Sequence, residues 1–238
     1  MLSWRSKVLF SGSKGVVKVY DLKSKTLTRD IGRGILANNH VHGLAIFNKT
    51  LYVSDKTDTV HCFMLNGMYR NSIFVDGMVG SCGITIYNKM LFICDNIGHD
   101  LKVVDLYSYK LLRTIGSFGS MINQFRYPTS VIAIGKKLYV TDYGNCKVKV
   151  IDEHGAFETQ FTSSYPTGIA KCGKNIVVSE MDRVALYDNA CRLISVPMND
   201  VCAYNICTTG DKRIFVNSYA EEYFTIHKKD VIALNLQG

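Results

Sequence analysis

The chain has 238 residues, 47% of them hydrophobic and 20% charged. That is enough apolar material for one sizeable core, and no apolar run reaches the length of a membrane-spanning helix. A net charge of +8 favours anionic partners over cationic ones.

Short apolar runs recur along the chain, alternating with polar side chains and separated by tight turns, as hairpin-linked strands do. Val8–Ser11, Val16–Tyr20 and Leu27–Ile31 form a first group, ended by Gly32. Gly43–Phe47, Leu51–Asp55, Thr59–Phe63 and Tyr69–Phe74 form a second, up to Gly77. Gly83–Tyr87, Leu91–Asp95, Leu101–Val104 and Leu111–Ile115 follow, up to Gly116. The next group is Thr129–Ile134, Leu138–Asp142, Lys147–Ile151 and Phe157–Phe161, with turns at Gly135-Lys136, Tyr143-Gly144-Asn145 and Glu153-His154-Gly155. Gly168–Cys172, Ile176–Glu180, Val184–Tyr187 and Leu193–Val196 come after it. Tyr204–Thr208 and Ile214–Ser218 open a last group, in which either Val231–Leu236 is the third strand after a long Ser218–Asp230 loop, or Tyr223–His227 is the third strand and Val231–Leu236 the fourth.

The second runs align at Leu9, Tyr52, Phe92, Tyr139, Val177 and Phe215, with spacings of 43, 40, 47, 38 and 38 residues. One four-stranded sheet cannot bury both its faces, so such units must stack on one another. The expectation is an all-β, six-bladed β-propeller of four-stranded antiparallel blades, with residues 1–238 as one domain. The first group begins near its second strand, which leaves only Met1–Ser6 as a possible inner strand. The ring is therefore expected to close by pairing both chain ends in one blade, Val8–Ser11 beside Val231–Leu236, because bare sheet edges invite aggregation. Trp4 is the single Trp and no Trp-Asp pair exists, which argues against WD40 repeats.

The fourth group resembles an NHL repeat, the blade unit of a family of β-propellers. The resemblance lies in Phe125-Arg126-Tyr127-Pro128, Leu138–Asp142, Tyr143-Gly144-Asn145, Lys147–Val150 and Gly155. Lys147 stands where the family usually has Arg. Two functions are implied by the resemblance. RNA-binding members use a strongly basic face, and enzymatic six-bladed propellers hold a metal with ligands projecting into the central channel.

Neither implied chemistry is well supplied here. The channel ends of the inner strands offer His42, Cys82, Thr129, Thr167 and Tyr204. His42 alone is a good neutral ligand, and a metal needs three or more convergent groups. It reads as a hydrogen-bonded channel residue. Asp55, Asp95 and Asp142 end successive second strands and read as acceptors for the amides of the turns that follow. No Ser/His/Asp order, nucleophile elbow or phosphate loop occurs. The eight cysteines form no Cys-x-x-Cys pair and no zinc spacing with His. They read as reduced thiols, with no disulfides, in an intracellular, cytoplasmic protein. The first ten residues, MLSWRSKVLF, lack the apolar core of a secretory leader.

Charge is unequally shared between the two faces expected of the ring. Turns joining strands one to two and three to four emerge on a hairpin face; the other loops and blade-to-blade crossings form a crossover face. The hairpin face carries eleven cations against six acids, a surplus of +5, including Lys49, Lys89, Lys136, Lys137, Lys174, Lys212 and Arg213. The crossover face carries eight cations against twelve acids, a balance of −4. It holds a basic–aromatic cluster, Arg126, Tyr127, Tyr143 and Lys147, with His42 nearby. The leading expectation is a non-enzymatic scaffold binding a protein partner or packing in an assembly, with no cofactor and no membrane insertion. An anionic partner would meet the hairpin face. RNA binding is the second reading, and a metal-dependent lactone hydrolase or lyase the third. Low proline with frequent Lys, Asn, Ile and Tyr fits an AT-rich genome, such as a protist or large DNA virus, where a role in the viral particle is one setting.

Overall fold

The computed structural model describes residues 1–12, 15–36, 41–218, 224–227 and 230–233. These residues form six four-stranded antiparallel sheets. The first comprises β1 (Leu2–Trp4), β2 (Lys7–Gly12), β3 (Val16–Asp21) and β4 (Thr26–Ile31). The second comprises β5 (Gly43–Phe47), β6 (Thr50–Ser54), β7 (Thr59–Met64) and β8 (Tyr69–Phe74). The third holds β9 (Ser81–Tyr87), β10 (Met90–Asp95), β11 (Asp100–Asp105) and β12 (Leu111–Ile115). The fourth holds β13 (Pro128–Ile134), β14 (Lys137–Asp142), β15 (Lys147–Asp152) and β16 (Phe157–Thr162), and the fifth β17 (Gly168–Cys172), β18 (Asn175–Ser179), β19 (Arg183–Tyr187) and β20 (Leu193–Asn199). The last is β21 (Ala203–Thr208), β22 (Ile214–Ser218), β23 (Phe224–His227) and β24 (Asp230–Ala233).

Local chemistry explains the strands. β6 and β10 carry apolar residues at consecutive positions and are buried on both faces, because each lies between two neighbouring sheets. The outer strands β8, β12 and β16 alternate with solvent on one side. The Asn48-Lys49 and Asn88-Lys89 hairpins place all four residues at positive φ, the twist that a two-residue hairpin requires. Each pair of neighbouring sheets encloses its own apolar cluster, such as Tyr52, Val60, Leu91 and Ile93 between the second and third sheets. At the axis the inner strands crowd together. A Cβ on Gly83 would stand 2.6 Å from the Ser130 Cα of the next inner strand, so that position takes glycine.

The expectation of a six-bladed ring that closes by pairing both chain ends in one blade is corrected at the seam. Val8 and Leu9 pair with Ser3 and Leu2 on one side and with Tyr20 and Val19 on the other, so β1 is the inner strand of its own sheet. Leu2 and Trp4 are apolar and pack against the Leu9 cluster, which is why this segment enters the fold. Val231, Ile232 and Ala233 pair with Ile226, Thr225 and Phe224, in a sheet drawn wholly from residues 203–233. The rest of the expected Val231–Leu236 strand, and most of the 219–230 stretch, lie outside the described residues. The first and last sheets meet by packing: Val8, Phe10 and Tyr20 join Cys207 and Phe215, and Ser3 Oγ donates to Thr208 O.

The blades are also unequal around the axis. β1 has three residues and lies beside the hairpin-side half of β2. At the crossover end, the sixth sheet reaches past it to the second, where Asn205 Nδ2 donates to His42 O at 3.0 Å. The crossover mouth of the channel is therefore ringed by five blades: β5, β9, β13, β17 and β21. The first five sheets share a register shift between their third and fourth strands, whereas the β23–β24 ladder runs without one.

Candidate interaction face

The chemistry at the inner ends of the blades begins with four buried acids. Asp55, Asp95, Asp142 and Glu180 each follow or end a second strand and are 0–1% exposed. Asp95 accepts from the Val79, Gly80 and Gly98 amides, all at 2.9 Å. Asp142 accepts from Arg126 N at 2.6 Å and from Asn145 Nδ2 at 2.8 Å. The expectation that these aspartates bond the turns that follow needs extension: they also hold the crossings that precede their blades. Each acid faces a base from the third strand. Lys149 Nζ lies 3.1 Å from Asp142, and Lys102 Nζ lies 2.9 Å from Asp100 and 3.9 Å from Asp95. Arg183 pairs with Glu180, and His61 Nε2 lies 3.1 Å from Asp55. Lys149 is wholly buried over the Phe125 ring, and its ammonium also donates to the Met121 and Gln124 carbonyls. The Lys149–Asp142 pair survives burial because charge and hydrogen bonds are both satisfied.

In the second blade this brace extends outward. Ser72 Oγ lies 3.0 Å from His61 Nδ1, giving a Ser72–His61–Asp55 chain that sequence order did not reveal. Ser72 also meets Tyr69 OH at 2.8 Å. His61 takes the place held by Lys102 and Lys149 in the third and fourth blades, whereas in the fifth that place is Ala185 and Arg183 reaches Glu180 from two residues earlier. That equivalence reads the chain as the blade's brace.

The channel residues form a second polar group. His42 Nδ1 lies 2.9 Å from Tyr204 OH and 3.6 Å from Cys82 Sγ. Burial pushes the Cys82 thiol up to about 12, so it is not poised as a thiolate. Thr129 Oγ1 donates to Pro166 O at 3.0 Å, and Thr167 Oγ1 to Ala203 O at 2.6 Å. All five expected channel residues line the channel cavity, and the Thr129, Thr167 and Tyr204 hydroxyls turn to neighbouring blades. Among the described residues, no group of three His, Cys, Asp or Glu side chains is placed to hold a metal. All eight cysteines carry free thiols. No helix among the described residues is long and apolar enough to cross a membrane.

At the mouth lies a cavity of about 390 Å³, walled by Tyr127, Tyr143, Met181, Cys202 and Tyr204 with Lys56 at its edge. It shares Cys82, Thr129, Thr167 and Tyr204 with a channel cavity of about 350 Å³ below. Apolar side chains surround it on the crossover loops. Phe118 is 60% exposed, Met121 70%, Ile97 55% and Met181 52%. His99 links Phe118 to Tyr127, with ring centroids 4.8 Å and 4.5 Å away, while its Nδ1 accepts Tyr127 N at 3.0 Å. Tyr143 packs on Tyr165 at 5.5 Å. Sequence reasoning placed Arg126, Tyr127, Tyr143 and Lys147 here. It missed Ile97, Phe118, Met121 and Met181, which lie in turns where periodicity carries no signal.

The charge map also changes. Five of the twelve crossover-face acids, Asp55, Asp95, Asp100, Asp142 and Glu180, are buried and bonded within the protein. Three more, Glu221, Glu222 and Asp230, have no described side chain, and Lys14, Lys228 and Lys229 lie outside the described residues. The balance of −4 is therefore not the charge that a partner meets. On the hairpin face, Lys137 pairs with Glu158 and Arg213 with Asp211 at 2.8 Å. Lys89 sits over the Tyr107 ring at 5.5 Å, and Lys49, Lys136, Lys174 and Lys212 are exposed.

No family model matches the chain, so its NHL resemblance is not supported beyond the β-propeller fold. No curated protein matches it either. Among solved structures, it is similar to a chain of a nidogen/laminin complex at 15% identity and a TM-score of 0.79, covering 96% of this chain and 93% of that one. It is similar to a chain of a mitotic checkpoint complex at 14% identity and a TM-score of 0.69, covering 94% and 72%. At such identities the likeness concerns fold alone.

Proposed function

We propose that this β-propeller is a non-enzymatic interaction scaffold that docks a protein partner on its crossover face. The observation that carries the reading is the set of exposed apolar side chains on the crossover loops, Ile97, Phe118, Met121 and Met181, of which Met181 lines the channel mouth. Solvating such a cluster is unfavourable, and burying it against a partner would recover roughly 25 cal/mol per Å² of apolar surface. The buried acid–base braces hold the crossover loops to the blades, so the surface is preorganised and little ordering entropy opposes docking. An intracellular setting fits the eight free thiols.

The test compares affinity purification with three baits from the native source: wild type, Met121→Glu with Ile122→Glu, and Lys136→Glu with Lys137→Glu. A partner kept by wild type and the lysine variant, and lost by the Met121/Ile122 variant, is the expected result. Loss only with the lysine variant would move the interface to the hairpin face.

A further inference from the structure

Resting on the crossover-face reading, we infer that the channel mouth recognises an acidic, apolar peptide segment: a large apolar side chain flanked by carboxylates, presented by the partner protein. The cavity of about 390 Å³ is of a size to take one such side chain. Its polar wall groups already have partners. Thr129 and Thr167 donate to Pro166 O and Ala203 O, and Tyr204 OH meets His42. Recognition inside the cavity therefore comes from apolar contact with Tyr127, Tyr143 and Met181.

Charge selects what flanks the anchor. No carboxylate lines this cavity or the channel below it, whereas Lys56 lines the first and Lys171 the second. Lys56 and, beside Tyr127, Arg126 are exposed, and neither they nor the half-buried Lys147 beyond Tyr143 make an ion pair among the described residues. Asp55, Asp95 and Asp142, next to Lys56, Asn96 and Tyr143 in sequence, are buried and committed to amides and bases. Exposed Asp182 adjoins Met181 outside the lining, so it is the lining itself, with a cation and no anion, that complements a carboxylate on an incoming chain.

A protein segment fits better than RNA. Base stacking needs open ring faces, but Tyr127 stands edge-on to His99 and Tyr143 packs on Tyr165. Most of the exposed cluster, Ile97, Met121, Ile122 and Met181, is aliphatic or thioether and offers no stacking platform.

The experiment selects random displayed dodecapeptides on the full chain, then measures the best synthetic peptide by fluorescence anisotropy. Affinity is read for wild type, Lys56→Glu, Met181→Glu and Lys136→Glu, each shown by melting to be folded, with poly(U) as competitor. The expected peptides place Leu, Ile, Phe, Met or Trp within about two positions of Asp or Glu. Met181→Glu should weaken binding about tenfold or more, and Lys56→Glu by about three- to tenfold, with binding falling between about 50 and 300 mM salt. Lys136→Glu should change nothing. Basic or uncharged selected peptides, or an unchanged affinity in Lys56→Glu, overturn the acidic class while a Met181→Glu loss leaves the docking face standing. Binding indifferent to Met181→Glu but lost in Lys136→Glu overturns both. Recovery of no peptide motif overturns the linear-segment class, and the docking face is then decided by the Met121/Ile122 purification alone. Displacement by poly(U) at stoichiometric concentration assigns the mouth to nucleic acid.

Discussion

Lys149 shows how a residue that looks like surface charge becomes structural. It lies in an alternating strand, and its ammonium joins Asp142 to the Met121 and Gln124 carbonyls of the preceding crossing. Lys149→Met removes the base and leaves Asp142 buried with an uncompensated charge. The expected loss is about 3–5 kcal/mol, read by urea denaturation. Asp142→Asn with Lys149→Met removes both charges and should recover part of it. His61 gives the complementary test. Lys fills its position in two other blades, so His61→Lys should cost no more than about 1 kcal/mol, while His61→Leu strands Asp55 and should cost about 3 kcal/mol. Equal losses in both variants would mean that the Ser72–His61–Asp55 chain is not the counterpart of the lysine braces.

At the scale of the element, the third-to-fourth strand hairpins repeat one device. Asp21 accepts from Lys23 N at 2.8 Å, Asp105 from Ser108 N at 2.6 Å and Asp188 from Arg192 N at 2.8 Å. In the second blade, Asn66 takes the place by accepting Met68 N. The Lys7 ammonium at 2.9 Å and the turn amides hold the Asp21 carboxyl down to about 2. The Ser108 amide lowers Asp105, and the Arg192 amide lowers Asp188. Lowered carboxyls bind protons less readily folded than unfolded. Their stabilisation is present above the ordinary value near 4 and is lost as pH falls through the folded values. Thermal melts should therefore be flat from about pH 7 to 5 and decline below about pH 4. Asp105→Asn, which still accepts the turn amides, should reduce that slope; an unchanged acid slope would remove these hairpins from its cause.

For the whole molecule, the seam decides cooperativity. The first and last sheets meet through Val8, Phe10, Tyr20, Cys207 and Phe215, with no strand shared between them. If packing alone closes the ring, Phe10→Ala should cost about 3–5 kcal/mol, as much as a truncation inside the ring such as Phe92→Ala. Both variants should melt in one transition by fluorescence and by circular dichroism. A Phe10→Ala variant as stable as wild type would mean that the ring stands without this seam.

Strand positions were legible in the sequence, because the alternation of apolar and polar residues and the turn pairs are local properties of the chain. Gly83 and Leu138–Asp142 could be placed on an inner and a second strand from neighbours alone. Sequence could equally show that Asp142 ends a strand, but not which amides it accepts, since Arg126 N reaches it from a crossing sixteen residues earlier. The mouth was half legible. Tyr127 and Tyr143 belong to a recognisable motif, whereas Met181 and Phe118 sit in turns whose side chains converge only when separate blades meet. The seam was illegible for a related reason. Leu2–Trp4 is too short to show a period, and its pairing with Lys7–Leu9 follows from the apolar space left between the first and second sheets. Hydrophobic alternation acts within a strand, so the chain by itself determines the blades. Their closure, the five-membered crossover mouth and the charge left facing solvent depend on packing between residues far apart in sequence, and only the tertiary structure decides them.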